Sequence, residues 1–203
     1  MIYKIWHHYY HCKKKTRDYL LNNKDLLKEP IADVGGGSGV WSELLGASNI
    51  DLKPHAKIIA DITDMRNVKS DSFNSAVCIN VLEHIENPDK ALQEIKRILS
   101  NGSYVLFSVP FTQPFHNYDD YNRWTHLGLQ KLLSKYFEVV NIEAGEGFVP
   151  TVLYSISQTI YNKSRSRIFY PLYAVFNVAS LLTDFIKTKD VTNFYFAVCR
   201  VKK

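Results

Sequence analysis

The sequence lacks the features that mark metal-bound or secreted small proteins. Its three cysteines, Cys12, Cys78 and Cys199, are odd in number and form no C-x-x-C pair, which argues against a zinc knuckle or a disulfide framework. No internal repeat or low-complexity linker occurs, and residues 1–8 contain no basic stretch followed by an apolar one. We therefore expect a protein of the reducing cytoplasm.

Composition is equally free of extremes. The 25 Lys and Arg against 20 Asp and Glu give a net charge of +5, and 46% of the 203 residues are hydrophobic, which excludes disordered and fibrous classes. The mild basic charge, without a dense Lys/Arg stripe, argues against a nucleic-acid partner. His7 and His11 have i, i+4 spacing, but no carboxylate or cysteine cluster completes a site, so no metal is predicted.

From Ile31 onward, short β-type runs alternate with helical patterns, which is typical of crossover units in a parallel sheet. The predicted strands are Ile31–Val34, Ser48–Asp51, Lys57–Asp61, Ser75–Asn80, Tyr104–Val109, Phe137–Ala144 and Asn193–Val201. The predicted helices are Val40–Leu45, one that starts at the Asn87-Pro88 cap and stops at Asn101-Gly102, and one capped by Thr125. We expect one domain over 1–203, with N-terminal helices in 1–29, a core in 30–144 and 193–203, and a helical insertion in 145–192.

The strongest signal is the glycine-rich turn Asp33–Gly39, which follows a predicted strand and precedes a predicted helix. Such a turn lets a ligand approach the backbone where side chains would block it. The turn does not complete a dinucleotide-binding fingerprint, because the third glycine would fall at Val40. It also lacks the Lys-Ser/Thr pair of a phosphate-binding P-loop.

Asp33, Gly35, Gly37 and Gly39 match the D-x-G-x-G-x-G loop, and the chain resembles the class I S-adenosylmethionine (SAM) dependent methyltransferases. Leu82–His84 matches the Leu-Glu-His segment of that family, although Asn74 stands where the family has an aspartate. The resemblance implies an α/β, Rossmann-like, seven-stranded and mostly parallel sheet. Helices cover both faces, the last strand is antiparallel, and a helical insertion precedes it.

The resemblance also implies a cofactor, SAM, and a product, S-adenosylhomocysteine. Asp51, at the end of the second predicted strand, would accept hydrogen bonds from both ribose hydroxyls. The adenine would lie near Asp61 and Ile62. The full set of cofactor-binding candidates is Asp33, Gly35, Gly36, Gly37, Gly39, Asp51, Leu52, Asp61, Ile62, Asn80 and His84.

The acceptor is expected over the segment that follows the fifth predicted strand, Pro110–Thr125. It resembles the H…D-x-x-R-[YFW]-T loop of methyltransferases linked to glycan or lipid pathways, through His116, Asp120, Arg123, Trp124 and Thr125. This implies a small-molecule or glycan- or lipid-linked acceptor, with His116 as candidate base and Arg123 and Trp124 positioning the acceptor. Alternatively, Arg123 pairs with Asp119 or Asp120 to staple the loop, and Thr125 is only a helix cap.

An apolar run at 168–186 is interrupted by Pro171, Asn177 and Asp184 and flanked by basic residues. A spanning helix is disfavoured, because the run connects two strands of one sheet. Three alternatives stay open: a lid over the substrate cleft, a dimer surface, or contact of 148–186 with the inner face of a membrane. The leading hypothesis is a SAM-dependent methyltransferase. An RNA or protein methyltransferase, or a non-catalytic SAM-binding accessory protein, are the alternatives.

Overall fold

The computed structural model describes residues 13–113, 115, 119–153, 155–156, 175, 179 and 190–203. Seven strands form one sheet in the order β3-β2-β1-β4-β5-β7-β6. The strands are β1 (Ile31–Val34), β2 (Ser48–Asp51), β3 (Ile58–Ile59), β4 (Phe73–Ile79), β5 (Leu99–Pro110), β6 (Phe137–Ala144) and β7 (Phe194–Val201). The first five are parallel and β7 is antiparallel to both its neighbours. The predicted fold class is confirmed.

The helices are α1 (13–22), α2 (Val40–Leu45), α3 (Pro88–Ile98), α4 (His126–Leu133) and α5 (148–153). The Asn87 side chain caps α3 by accepting a hydrogen bond from the Lys90 amide at 3.2 Å, with proline in the first turn. Thr125 caps α4 in the same way. No helix in these ranges is both long and apolar enough to cross a bilayer.

The sheet is buried on both faces because helices cover each of them. Along β4, Ala76 and Cys78 point to the core that contains α3 and α4, while Val77 and Ile79 point to the core that contains α1 and α2. On the second face, the Tyr19 ring of α1 stacks on a β7 phenylalanine, and its hydroxyl donates to the Ala197 carbonyl at 2.9 Å. Strand alternation thus divides one sheet between two apolar layers.

The structure corrects the predicted end of α3. The helix ends at Ile98, and Leu99 already belongs to β5, where it pairs with Phe73. The predicted stop at Asn101-Gly102 is wrong, because these residues lie in an irregularity where the β4–β5 register shifts. Gly102 has a φ of +80° there, so the glycine serves a β-bulge instead of a helix end.

Several strand ends also differ from the prediction. β3 contains only Ile58–Ile59, because the chain turns at Asp61. The Asp61 carboxylate stabilises this turn by accepting hydrogen bonds from the amide and hydroxyl of Thr63. β4 begins two residues earlier than predicted and ends at Ile79, and β5 is longer at both ends. Of the predicted insertion at 145–192, α5 is helical, and most of the remainder lies outside the described residues.

Candidate functional site

The glycine turn lies between β1 and α2 and is shaped by two close approaches. A Cβ at Gly35 would lie 2.5 Å from a methyl of Val81, and a Cβ at Gly36 would lie 2.6 Å from a carboxylate oxygen of Asp33. Gly35 also has a φ of +73° and donates its amide to the Ile50 carbonyl at 2.7 Å. Glycine is therefore required at both positions by space and, at Gly35, by backbone conformation.

The side chain of Asp33 links the glycine turn to α2. Its side chain is buried, accepts a hydrogen bond from the Ser42 hydroxyl at 2.6 Å, and lies beside Asn49, its register partner on β2. Burial raises the pKa of the Asp33 carboxyl to about 6. The carboxylate thus connects the turn to the first residues of α2, and any contribution that Asp33 makes to ligand binding acts through the turn.

Asp51 lies at the carboxyl end of β2 with both carboxylate oxygens oriented by backbone amides. Oδ2 accepts from the Gly37 amide at 2.8 Å, and Oδ1 accepts from the Lys53 amide at 3.0 Å. The Gly37 carbonyl in turn accepts from Nε2 of His55 at 2.7 Å. The β2 end and the glycine turn therefore form one hydrogen-bonded rim.

Beside this rim lie the residues predicted to contact a planar ring. Leu52 is 69% exposed, whereas Ile62 is buried in the core. The Asp61 carboxylate is exposed and accepts hydrogen bonds from Thr63, and the nearby Asp64 forms an ion pair with Arg66. Leu52 and Ile59, the register partner of Asp51 on β3, thus provide exposed apolar surface next to Asp51.

The end of β4 completes this side of the cleft. Asn80 adopts a φ of +54°, and its Oδ1 accepts from the Ser108 hydroxyl on β5 at 2.9 Å. Asn80 and Ser108 also share a backbone hydrogen bond of 2.9 Å. The chain then turns at Val81, which lies over Gly35, into the short 3-10 helix Leu82–His84.

That 3-10 helix is bonded along one edge to residues 119–125, which we call the acceptor loop. The Glu83 carbonyl accepts from the amides of Tyr121 at 2.8 Å and Asn122 at 3.2 Å, and the Asn122 side chain donates to the Ile85 carbonyl at 2.8 Å. Nδ1 of His84 lies 3.1 Å from the carbonyl of Asp119. Hydrogen bonds of both backbone and side chains thus join the two segments.

Within the acceptor loop, Arg123 makes a bidentate ion pair with Asp120, one bond of which is 2.6 Å. The Asp120 side chain is only 1% exposed and that of Arg123 is 24% exposed. The contacts of Arg123 therefore agree with the alternative in which it pairs with Asp120 and holds the loop together. Trp124 packs partly buried on the core, and the third catalytic candidate, His116, lies outside the described residues.

A second polar cluster fixes the chain where it leaves and re-enters the sheet around the insertion. The buried Glu146 accepts hydrogen bonds from the Asn193 side chain and, at 3.4 Å, from the Thr151 hydroxyl of α5. The Thr112 hydroxyl, after β5, donates to the Thr192 carbonyl at 2.8 Å. The segments after β5 and β6 and before β7 are therefore tied together at the cleft end of the sheet.

Comparisons with known proteins decide the family. A family model described as a methyltransferase domain matches residues 5–144, well over half of the chain. This chain belongs to the methyltransferase-domain family. The family predicted from the sequence is thereby confirmed.

Curated relatives of this methyltransferase domain match over shorter stretches. The ubiquinone biosynthesis O-methyltransferase of Paraburkholderia phymatum is 29% identical over 99 residues, which cover 38% of this chain and 43% of that enzyme. The thiol S-methyltransferase TMT1B of Homo sapiens is 32% identical over 69 residues, which cover 34% of this chain and 28% of that enzyme. The chain thus spans less than half the length of these relatives.

Solved methyltransferases match nearly the whole chain in fold. A SAM-dependent methyltransferase from Thermotoga maritima has a TM-score of 0.64 at 16% identity, covering 98% of this chain and 95% of that one. Phosphoethanolamine N-methyltransferase 2 of Haemonchus contortus, in complex with SAM, has a TM-score of 0.55 at 16% identity, covering 93% of this chain and 52% of that one. At these identities the likeness shows a shared fold.

Sequence reasoning missed three residues of the site. Asn49 and His55 both contact the Gly37 carbonyl, yet neither belongs to a motif. Glu83 was assigned no role, although its side chain is 1% exposed and its Oε2 has no hydrogen-bond partner. The one available signal was the Leu-Glu-His match, which includes Glu83, whereas Asn49 lies in a strand that also contains Ser48 and Asp51 and does not stand out.

Proposed function

We propose that this chain is a SAM-dependent methyltransferase that methylates a small-molecule acceptor of apolar character at a hydroxyl or thiol and releases S-adenosylhomocysteine. The observation that carries the proposal is Asp51, whose two carboxylate oxygens are oriented beside the glycine turn. The O- and S-methyltransferase activities named for the relatives support a hydroxyl or thiol acceptor. The acceptor-loop resemblance extends the proposal to glycan- or lipid-linked acceptors.

The cofactor side fits SAM. Each Asp51 oxygen accepts one backbone hydrogen bond and keeps a lone pair, so each can accept one ribose hydroxyl. A Cβ at Gly37 would have no neighbour closer than 3.8 Å, so the turn is open on that side and the absence of a side chain lets a ligand reach the backbone. The exposed Leu52 side chain supplies an apolar face for the adenine, and Asn80 and His84 lie at the β4 end, where the methionine part would bind.

The sulfonium of SAM supplies a methyl group that is already activated for in-line displacement. The protein therefore contributes alignment of the acceptor and exclusion of water. Phe111, whose ring centroid is 5.3 Å from that of Tyr195, and Trp124 of the acceptor loop are half-buried aromatic residues that provide apolar surface for the acceptor. The Asp120–Arg123 pair holds this loop in place and neutralises its own charge, which favours an uncharged acceptor.

A hydroxyl acceptor must lose its proton during the attack, and a thiol must be ionised. His116 is the base that the sequence predicts. Among the described residues, His84 is the second candidate, because Nδ1 is oriented by the Asp119 carbonyl and the ring lies between the cofactor side and the acceptor loop. Replacing each histidine with glutamine and comparing the acid limb of the rate–pH profile distinguishes the two.

Two measurements test the proposed function. In calorimetry, SAM and S-adenosylhomocysteine should bind with micromolar affinity and NAD poorly, because Val40 replaces the third dinucleotide glycine. Transfer of a labelled methyl from SAM should then be screened over a panel of phenols and alkyl thiols. Tighter binding of NAD than of SAM would refute the proposal, and binding of SAM without transfer to any acceptor would favour the accessory-protein alternative.

A further inference from the structure

Glu83 is a buried carboxyl at the junction of the cofactor side and the acceptor loop. We propose that Glu83 is a positioning residue that keeps the acceptor loop docked while its carboxyl is uncharged, and that ionisation of this carboxyl releases the loop. This inference rests on the proposed function, because it takes residues 119–125 to face the acceptor. It adds to the proposed function a positioning residue, Glu83, and a pH dependence of loop docking, neither of which the sequence motifs indicate.

The contacts place Glu83 under the loop. Its carbonyl accepts hydrogen bonds from the amides of Tyr121 and Asn122. We call this hydrogen-bonded junction between Glu83 and the acceptor loop the seam. The Glu83 side chain is 1% exposed, and Oε2 has no hydrogen-bond partner. An ionised carboxylate in this position would leave Oε2 buried without a hydrogen-bond donor, which is costly for a charged group. An uncharged carboxyl fits the site far better.

The charged groups around Glu83 also favour an uncharged carboxyl. Asp120 and Arg123 of the acceptor loop form a closed bidentate pair, so the guanidinium is already neutralised. Nε2 of His84 lies 3.8 Å from Oε1, beyond hydrogen-bond distance, and Cys78 of β4 faces Glu83 as a buried thiol. Burial raises the pKa of Glu83 from 4.5 to about 8; a hydrogen bond from its own backbone amide and the charge of Arg123 oppose the rise, and the Asp120 charge adds to it.

Release of the loop follows from competition for Arg123. Once Glu83 ionises, two carboxylates lie near one guanidinium, and the additional anion needs hydration or a partner. Water gains access to it when the hydrogen bonds from the exposed Tyr121 and the half-buried Asn122 to the Glu83 carbonyl open. Trp124 is two residues beyond Asn122 and moves with the loop, so its fluorescence reports on loop opening.

The experiment uses the full chain with Trp6→Phe and Trp41→Phe, which leaves Trp124 as the single tryptophan. Acrylamide quenching of its fluorescence is followed from about pH 6 to about pH 10. Quenching should increase about two-fold or more as the loop opens, with a midpoint near 8. Glu83→Gln, which stays uncharged, should give low and pH-independent quenching. Glu138→Gln, on an exposed ion pair of β6, should retain the wild-type transition.

Each outcome decides the inference. A flat wild-type profile overturns it, and a transition that persists in Glu83→Gln assigns the titration to another group and also overturns it. If Glu83→Gln does not fold, infrared spectra of the wild-type chain replace it: the C=O band of a protonated buried carboxyl should disappear with the fluorescence midpoint. SAM calorimetry on the same protein separates this inference from the proposed function, since the loop transition does not require bound SAM.

Discussion

Glu83→Gln is expected to stabilise the fold at neutral pH, although most substitutions of buried residues destabilise. The pKa of Glu83 is raised from 4.5 to about 8 in the folded chain, chiefly by burial. The folded state therefore holds a proton that the unfolded state releases between these values. Stability from this group is fully present below pH 4.5 and is lost as the pH rises through 8.

The magnitude follows from linkage. A rise of 3.5 pKa units (8 minus 4.5) corresponds to about 5 kcal/mol when the whole range has been crossed, and about 3 kcal/mol of this is lost by pH 7. Glutamine does not titrate in either state. The variant should therefore match wild type near pH 4 and exceed its free energy of unfolding by about 3 kcal/mol at pH 7.

Urea unfolding followed by circular dichroism at about pH 4, 5.5 and 7 measures this difference, with Glu138→Gln as the exposed control. The control should show no comparable gain, because its carboxylate is 40% exposed and paired with Lys202. Equal stability of Glu83→Gln and wild type at pH 7 would mean that Glu83 is ionised in the folded protein, and the reasoning would be refuted.

Three further predictions concern the cofactor side and α3. Asp51→Ala should weaken SAM binding by about 2–4 kcal/mol in calorimetry and, because the carboxylate also accepts two backbone amides, lower stability by about 1 kcal/mol; unchanged affinity would show that the ribose binds elsewhere. Gly36→Ala, with its Cβ 2.6 Å from an oxygen of Asp33, should lower SAM affinity and destabilise by about 1–3 kcal/mol. Gly46→Ala is the matched control: its φ of +66° and open surroundings predict a loss of about 1 kcal/mol and normal SAM affinity. Asn87→Ala should lower the free energy of unfolding by about 1 kcal/mol through loss of the α3 cap, and no change would mean that water replaces it.

Local sequence patterns were sufficient for much of the fold. Ile31–Val34, Ser48–Asp51 and Phe137–Ala144 have the predicted bounds, because each is a short β-type run ended by a turn or a helix signal. The junction of α3 and β5 was not predictable in the same way. Leu99 continues the helical spacing of apolar residues, and only its pairing with Phe73 places it in a strand.

In the candidate site, too, residues that are close in sequence were predicted and contacts between distant residues were not. The glycine turn and Asp51 lie within a short stretch of chain, and the resemblance to SAM-dependent methyltransferases, from which their roles were inferred, rests on residues close in sequence. The seam between Glu83 and Tyr121 joins residues that are far apart in sequence, and neither belongs to a periodic element that would indicate which way it faces. The burial of Glu83 is therefore a tertiary property, as is the contact between His55 and the Gly37 carbonyl.

The polar cluster around Glu146 has a consequence for how the fold tolerates changes in the length of the segment between β6 and β7. The amide of Gly145 donates to the Phe194 carbonyl at 2.9 Å, and Glu146 and Asn193 are hydrogen-bonded, so the chain departs from the sheet and returns to it at the same point. The length of the intervening segment then affects stability only weakly, since doubling a closed loop costs about 0.6 kcal/mol. A change in the length of this segment should therefore leave the pairing of β6 with β7 intact.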